Sequence, residues 1–172
     1  MDTTTDVIEH AVVPGTFDPI TYGHIDVVRR ARRIAGHVTV AVAASLGKNG
    51  TGPKFTLDER VELAKQALAS EGVSEGVDVL PFTGLLMDFC RELGAGAVVK
   101  GLRAMTDFEY ELQQADLNSR ISPDVESIFV MSNPKYGYVS SSIVRELASL
   151  GSDVSMLVPP CVAEALKERY EA

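Results

Sequence analysis

The chain has 172 residues, 45% of them apolar and 23% charged, with a formal net charge of −8. That length suits one compact domain with a proper core, and no apolar run is long enough to cross a membrane. The acidic balance argues against a general nucleic-acid binder. It leaves room for a few cations focused in one cleft around a small anion.

Residues 1–9 are polar and acidic and lack the basic and apolar regions of a secretory signal. They read as a flexible N-terminal tail ahead of a domain over 10–172. Cys90 and Cys161 sit far apart in apolar helical patterns, with no metal-ligand or disulfide spacing. Buried thiols in a reducing, cytoplasmic compartment account for them.

The first strand is expected over 10–14, a short apolar run bounded by turn residues. It breaks into the densest stretch of special residues in the chain, Pro14-Gly15-Thr16-Phe17-Asp18-Pro19-Ile20-Thr21-Tyr22-Gly23-His24. Thr21 is an expected N-cap, which puts Gly23 and His24 in the first turn of a helix over 22–35. Gly36 then fits the residue just past that helix. Val38–Ala43 forms the second strand, and Ser45–Lys54 a Gly-rich basic loop. Thr56-Leu57-Asp58-Glu59 is a capping box opening a helix to about Ser70. Val77–Pro81 is the third strand, Gly84–Leu93 the third helix, closed by Gly94, and Ala97–Lys100 the fourth strand. A helix over 106–120, a strand over Val125–Met131, a helix over Ser140–Leu150 ended by Gly151, and a last helix over 160–171 complete the chain.

Five strands, each followed by a helix, imply an α/β fold: a single-domain, Rossmann-like, doubly wound five-stranded parallel sheet with helices on both faces. Ligands of such sheets bind beyond the carboxyl ends of the strands. His24, Lys48, Lys100, Arg103 and the serine cluster Ser140-Ser141-Ser142 all fall there. Each alone has an ordinary explanation: a solvated lysine, a surface turn, an N-cap. Phe108 reads as a core aromatic. Together, several strand ends supply phosphate-compatible groups, as a triphosphate plus a second phosphorylated substrate would require. There is no Gly-x-Gly-x-x-Gly after the first strand, no P-loop and no nucleophile elbow. A reaction that needs positioning and charge neutralisation, without a covalent intermediate, fits best.

The Gly15–Pro19 and Thr21–His24 stretches resemble the signature of nucleotidyltransferases with a (His/Thr)-x-Gly-His motif. Phe55-Thr56-Leu57-x-Glu59-Arg60, Lys100-Gly101-Leu102-Arg103, Asp107-Phe108-Glu109-Tyr110-Glu111 and Ser140-Ser141-Ser142 are similar to one branch of them, the phosphopantetheine adenylyltransferases. The matches run in order from the first strand to the fifth helix. The resemblance implies transfer of AMP from ATP to 4′-phosphopantetheine, giving dephospho-coenzyme A and pyrophosphate. It also implies Mg²⁺ held mainly by the ATP phosphates, a homohexamer, and coenzyme A as a feedback ligand.

By the same resemblance His24, Lys48, Thr16 and Arg103 are catalytic. The nucleotide would meet Thr16, Phe17, His24, Gly101, Arg103, Tyr110, Glu111 and Ser140, Ser141 and Ser142. Thr16, Lys48 and Lys100 would meet the phosphopantetheine phosphate, and Thr83, Leu85, Leu86 and Asn118 the pantetheine arm. The attacking phosphate is ionised at neutral pH, so no general base is required; alignment and charge stabilisation suffice. The rivals are a relative of the same fold acting on nicotinamide mononucleotide or using CTP, and a non-catalytic nucleotide-binding module. The Gly-Leu-Arg and Asp-Phe-Glu-Tyr-Glu segments speak against the first, and the presence of both His24 and Lys48 against the second.

Overall fold

The computed structural model describes residues 8–44, 52–103 and 105–171. Its strands are β1 (Ile8–Gly15), β2 (Ala35–Ala43), β3 (Val77–Phe82), β4 (Ala97–Leu102) and β5 (Glu126–Met131). The helices are α1 (Tyr22–Ile34), α2 (Leu57–Ser70), α3 (Leu86–Leu93), α4 (Met105–Ile121), α5 (Ser141–Ser149) and α6 (Pro160–Glu171). Every strand pair is parallel, in the order β3-β2-β1-β4-β5. The expected Rossmann-like sheet is therefore present, with its switch in winding direction between β1 and β4.

The two faces carry separate cores, as strands buried on both sides require. One face buries Ala11, Val13, Val38, Val40 and Val42 of the sheet beneath α1, α2, α5 and α6, with Ile25, Val28, Leu68, Val144 and Leu166 fully or nearly fully enclosed. The other face packs Val12, Ala41 and Val98 against Met87 and Cys90 of α3. Burial pushes the Cys90 thiol up to about 11, so it behaves as an apolar side chain. Cys161 is only half-buried, short of the buried thiol expected, and forms no disulfide.

Several local expectations need correction. β1 begins at Ile8, inside the expected tail, because Ile8 pairs with Ala35 of β2. α1 does not end in a left-handed Gly36. Its cap residue, Ala35, is already extended, and the chain enters β2 without a loop. Arg32 makes this possible by donating Nη1 to the Ala35 and Gly36 carbonyls and Nε to that of Glu75. Gly36 is instead needed for close approach, since a Cβ there would lie 3.1 Å from the Glu9 carbonyl oxygen. The third helix starts at Leu86, two residues late, because Gly84 sits at φ +78°. Gly94 does close it in the left-handed region. Phe108 is not a core residue; it is 40% exposed, edge-on to Phe129 of β5.

The sheet opens where the site lies. β1 pairs with β2 as far as Gly15↔Val42, but with β4 only at Ala11↔Ala97 and Val12↔Val98. Beyond that point β1 and β4 splay apart, each still held by its outer neighbour. Pro14, with no N–H to offer, suits a strand end that has lost a partner.

β4 passes so close to α1 that a Cβ on Gly101 would lie 2.5 Å from Val27 Cγ2 and 3.1 Å from Ser132 Oγ. Valine is stiff and buried here and cannot swing away. Gly101→Ala is expected to lower stability by about 1–3 kcal/mol through overpacking. The same change in a Val27→Ala background should cost much less, measured by denaturant unfolding of the four chains. Equal costs in both backgrounds would refute the packing account.

Candidate active site

The splayed strand ends form a cleft of about 350 Å³. β1 contributes Val13, Pro14 and Gly15; β4 contributes Val99, Lys100 and Gly101; Arg103 follows directly. α1 presents Gly23, His24 and Val27, α4 presents Glu111, and the segment from β5 to α5 presents Ser132, Tyr136, Val139, Ser140 and Ser141.

His24 is set by its own backbone. Thr21 caps α1, accepting from the His24 N–H at 3.4 Å, while the Thr21 N–H donates to His24 Nδ1 at 3.0 Å. This is a capping box in which histidine takes the place of the usual Glu or Gln. Because Nδ1 accepts, the proton of the neutral ring resides on Nε2. Phe17 meets the ring edge-on at 4.9 Å. Burial, and secondarily the Arg103 charge, push the His24 pKa down to about 4. At neutral pH the residue is therefore an uncharged Nε2–H donor lining the cleft.

The cations are also held in place. Arg103 Nη1 donates to the Val139 carbonyl at 2.7 Å, joining the end of β4 to the entry of α5. Lys100 Nζ lies 2.7 Å from Glu111 Oε2, an internal ion pair across the β4–α4 side of the cleft. At α5, Ser140 Oγ accepts from Ile143 N as the N-cap, and Ser141 Oγ donates to the Pro19 carbonyl. Two of the three serine hydroxyls are thus already engaged, and what α5 offers an anion is chiefly its N-terminal N–H groups. Ser142 stands outside the cleft lining, its hydroxyl within reach of Arg145.

Of the remaining expected site residues, Phe17 lines the cleft, and Thr16 is exposed between two lining residues. Tyr110 is 60% exposed and does not line the cleft. Asn118 joins Lys100 and Glu111 at a small adjacent indentation on β4 and β5. Thr83, Leu85 and Leu86 lie beyond β3, at the far edge of the sheet from β4, with Leu85 57% exposed. Lys48 lies outside the described residues.

Sequence reasoning missed Tyr136 and Arg145, and it quoted Arg60 within the Phe55–Arg60 motif without giving it a role. Tyr136 forms an aromatic wall of the cleft and stacks on Tyr22, with ring centres 6.2 Å apart. Arg145 donates Nη1 to the Asp18 carbonyl. Arg60, only 2% exposed, donates to three backbone carbonyls beneath the first loop. A signal for Arg60 existed: it falls on the stripe of Ala64, Ala67 and Leu68, where an apolar residue belongs.

A model of the cytidylyltransferase-like family matches residues 12–147. The phosphopantetheine adenylyltransferase of Methylobacillus flagellatus is 53% identical over 90% of this chain and 93% of its own length. That of Geotalea daltonii is 48% identical over 93% and 96%. The chain belongs to the phosphopantetheine adenylyltransferase family. The bifunctional NMN adenylyltransferase/ADP ribose pyrophosphatase of Francisella tularensis shares the fold: its structure superposes with a TM-score of 0.69 at 14% identity, over 96% of this chain and 50% of that one.

The pKa of His24 has a direct consequence for stability. Folded, the ring resists protonation until about pH 4; unfolded, it takes a proton near its ordinary value of 6.5. The unfolded state thus binds more protons between those limits, so this group's contribution is present above pH 6.5 and lost as the pH falls towards 4. His24→Gln retains a capping side chain and has no such titration. The wild-type chain should lose stability relative to His24→Gln as the pH is lowered from 6.5 to 4, followed by denaturant midpoints. A constant difference across that range would show that His24 is not held neutral.

Proposed function

We propose that the chain transfers AMP from ATP to 4′-phosphopantetheine, giving 3′-dephospho-coenzyme A and pyrophosphate, by direct in-line attack. The observation that carries this reading is the meeting of a neutral His24 with the Lys100-Gly-Leu-Arg103 segment in one cleft, in a chain about half identical to enzymes named for the reaction.

The roles follow from the chemistry. The acceptor phosphate arrives ionised, so no side chain needs to remove a proton from it. A neutral Nε2–H donor serves better than an acid or base here. It stabilises negative charge growing on the non-bridging oxygens of the α-phosphorus and keeps its proton throughout. Thr16 and Lys48 share that task in this reading. Lys100 receives the acceptor's phosphate, which competes with Glu111 for the same ammonium. Glu111, once released, is available to nucleotide ribose hydroxyls, with Tyr110 beside it. Arg103, Gly101, Phe17 and the start of α5 at Ser140, Ser141 and Ser142 hold the departing phosphates. Thr83, Leu85, Leu86 and Asn118 border the pantetheine arm; the exposed apolar side chain of Leu85 suits such a contact.

The cleft's donor set fits a metal carried by the nucleotide. Among the described lining residues the single carboxylate is Glu111, already paired with Lys100, and the others offer mainly N–H and hydroxyl groups suited to phosphate oxygens. Mg²⁺ bound to the triphosphate would neutralise charge on the leaving pyrophosphate. Coenzyme A, which contains both halves of the product, is the proposed feedback ligand. No helix among the described residues is long and apolar enough to cross a membrane, and the proposed site of action is the cytoplasm. A homohexamer is proposed, supported by apolar side chains that α4 and β5 leave exposed, among them Leu112, Leu117, Ile121 and Met131.

Pyrophosphate release from ATP and Mg²⁺, with 4′-phosphopantetheine and nicotinamide mononucleotide as parallel acceptors, tests the reaction. Turnover is expected with phosphopantetheine alone. Turnover with the mononucleotide would overturn the substrate, and ATP binding without release would favour a regulatory module. His24→Ala should lower kcat by at least ~100-fold, the scale for losing one preset donor, with KM for ATP changed little. Light scattering coupled to gel filtration should give six protomers; a monomer at micromolar concentration would refute the hexamer.

A further inference from the structure

The first loop turns at Phe17, whose φ of +49° lies in the left-handed region that branched or bulky residues rarely adopt. No glycine relieves this turn. The carbonyls on either side of Phe17 are each held by an arginine. Arg60 Nη1 donates to Thr16 O at 2.7 Å, and Arg145 Nη1 donates to Asp18 O.

Arg60 reaches further. The same Nη1 donates to Ala43 O at 2.8 Å, at the very end of β2, and Nε donates to Phe55 O at 3.2 Å, just before α2. One guanidinium thus fixes three backbone segments: the loop that bears Thr16, the end of β2 at Ala43, and the entry to α2. Its planar fork suits this, and a lysine ammonium would not reproduce it. Asp18 accepts from Lys54 N at 2.8 Å and Phe55 N at 2.9 Å, pinning the same loop from its other side.

We propose that Arg60 is a positioning residue for the transfer step, holding the Thr16–Phe17 turn in register with the end of β2 and the entry to α2 so that Thr16 is presented to the reacting phosphorus. Arg60 lines no part of the cleft. It acts through backbone carbonyls and touches neither substrate. The inference rests on the reaction proposed above and adds to it a specific residue outside the cleft.

The test compares Arg60→Met, Arg60→Ala and Arg60→Lys with wild type in the pyrophosphate assay. Rates are expressed per folded protomer, at a temperature where circular dichroism shows each chain fully folded. Leu68→Ala, in the core on the same helix, controls for lost stability alone. Expected are a ~100-fold fall in kcat for Arg60→Met, the scale for misplacing reacting groups by about 1 Å, and a KM for ATP within ~3-fold of wild type. Arg60→Lys should lose less, and millimolar guanidinium ion should restore part of the Arg60→Ala rate. Leu68→Ala should lower the melting temperature with kcat per folded protomer unchanged.

An Arg60→Met kcat within ~3-fold of wild type would overturn the proposal. So would guanidinium raising the Arg60→Ala melting temperature without raising its rate. If Arg60→Met fails to accumulate folded, Arg60→Lys decides: full wild-type kcat would overturn the proposal, and reduced kcat with unchanged KM would support it. A wild-type chain that releases no pyrophosphate overturns the reading of the reaction first, and this inference with it.

Discussion

Everything at the cleft depends on one turn that would not hold its shape alone. Between β1 and α1 the backbone passes through Phe17 at φ +49°, with Asp18 almost wholly buried beside it. A left-handed residue without a glycine costs on the order of 1 kcal/mol or more and persists only where its surroundings over-determine it. Here they do. The Asp18 carboxylate takes two backbone N–H bonds from residues 54 and 55, and Arg145 approaches it to 3.5 Å. Arg60 and Arg145 hold the flanking carbonyls, while Ser141 ties the start of α5 to Pro19. The buried charges have partners, which keeps the desolvation of each from becoming prohibitive. The turn is therefore braced from several elements at once, and Phe17, Asp18 and Ile20 are as buried as the core.

That bracing has a use because the sheet itself opens beside it. β1 and β4 separate after one short stretch of pairing, and the crevice left between them has no side chain to fill it at Gly15 or Gly101. A parallel sheet at its switch point supplies this opening in any sequence of the fold. Here the closeness of Val27 disfavours any side chain at 101 and so leaves the backbone of β4 bare towards the cleft.

The alternation of strands and helices, the parallel sheet and its ligand-binding edge could be read from apolar β-branched runs and cap residues, because both signals are local. The Thr56 box and the Gly94 stop are cases where one residue's own chemistry, a capping hydroxyl or a missing Cβ, decides the element's end. Gly36 shows the limit. Its composition suggested a helix stop, but Arg32, reaching from the previous turn, closed the helix, and the glycine served a neighbouring strand. The site divides the same way. His24, Lys100 and Arg103 were legible as strand-end residues, whereas Arg60 and Arg145 hold backbone distant in sequence; the apolar stripe of α2 marks Arg60 as out of place but does not encode what it bonds. Ser140 and Ser141 were identified as residues of the site, but their hydroxyls are engaged in fixing α5 and the first loop.

The electrostatics of the cleft explain how an acidic protein can gather anions. With a net charge of −8 the long-range field repels a triphosphate. Within a Debye length, about 8 Å at physiological salt, the nearest charges dominate. Lys100 lies near the end of β4 and Arg103 directly follows it, with α5's N-terminus across the cleft. Glu111 is the one lining carboxylate among the described residues, and it is spent on Lys100. The neutrality of His24 completes this arrangement. In the proposed reaction an imidazolium would add attraction for any anion, substrate or product alike. In that reading a neutral donor, anchored through Nδ1 to its own helix cap, would favour the state in which charge has built up at one position and let go when that charge has moved on. Burial beside Arg103 is what keeps the ring in that form, so the same desolvation that costs stability in acid is what would suit His24 to the proposed chemistry.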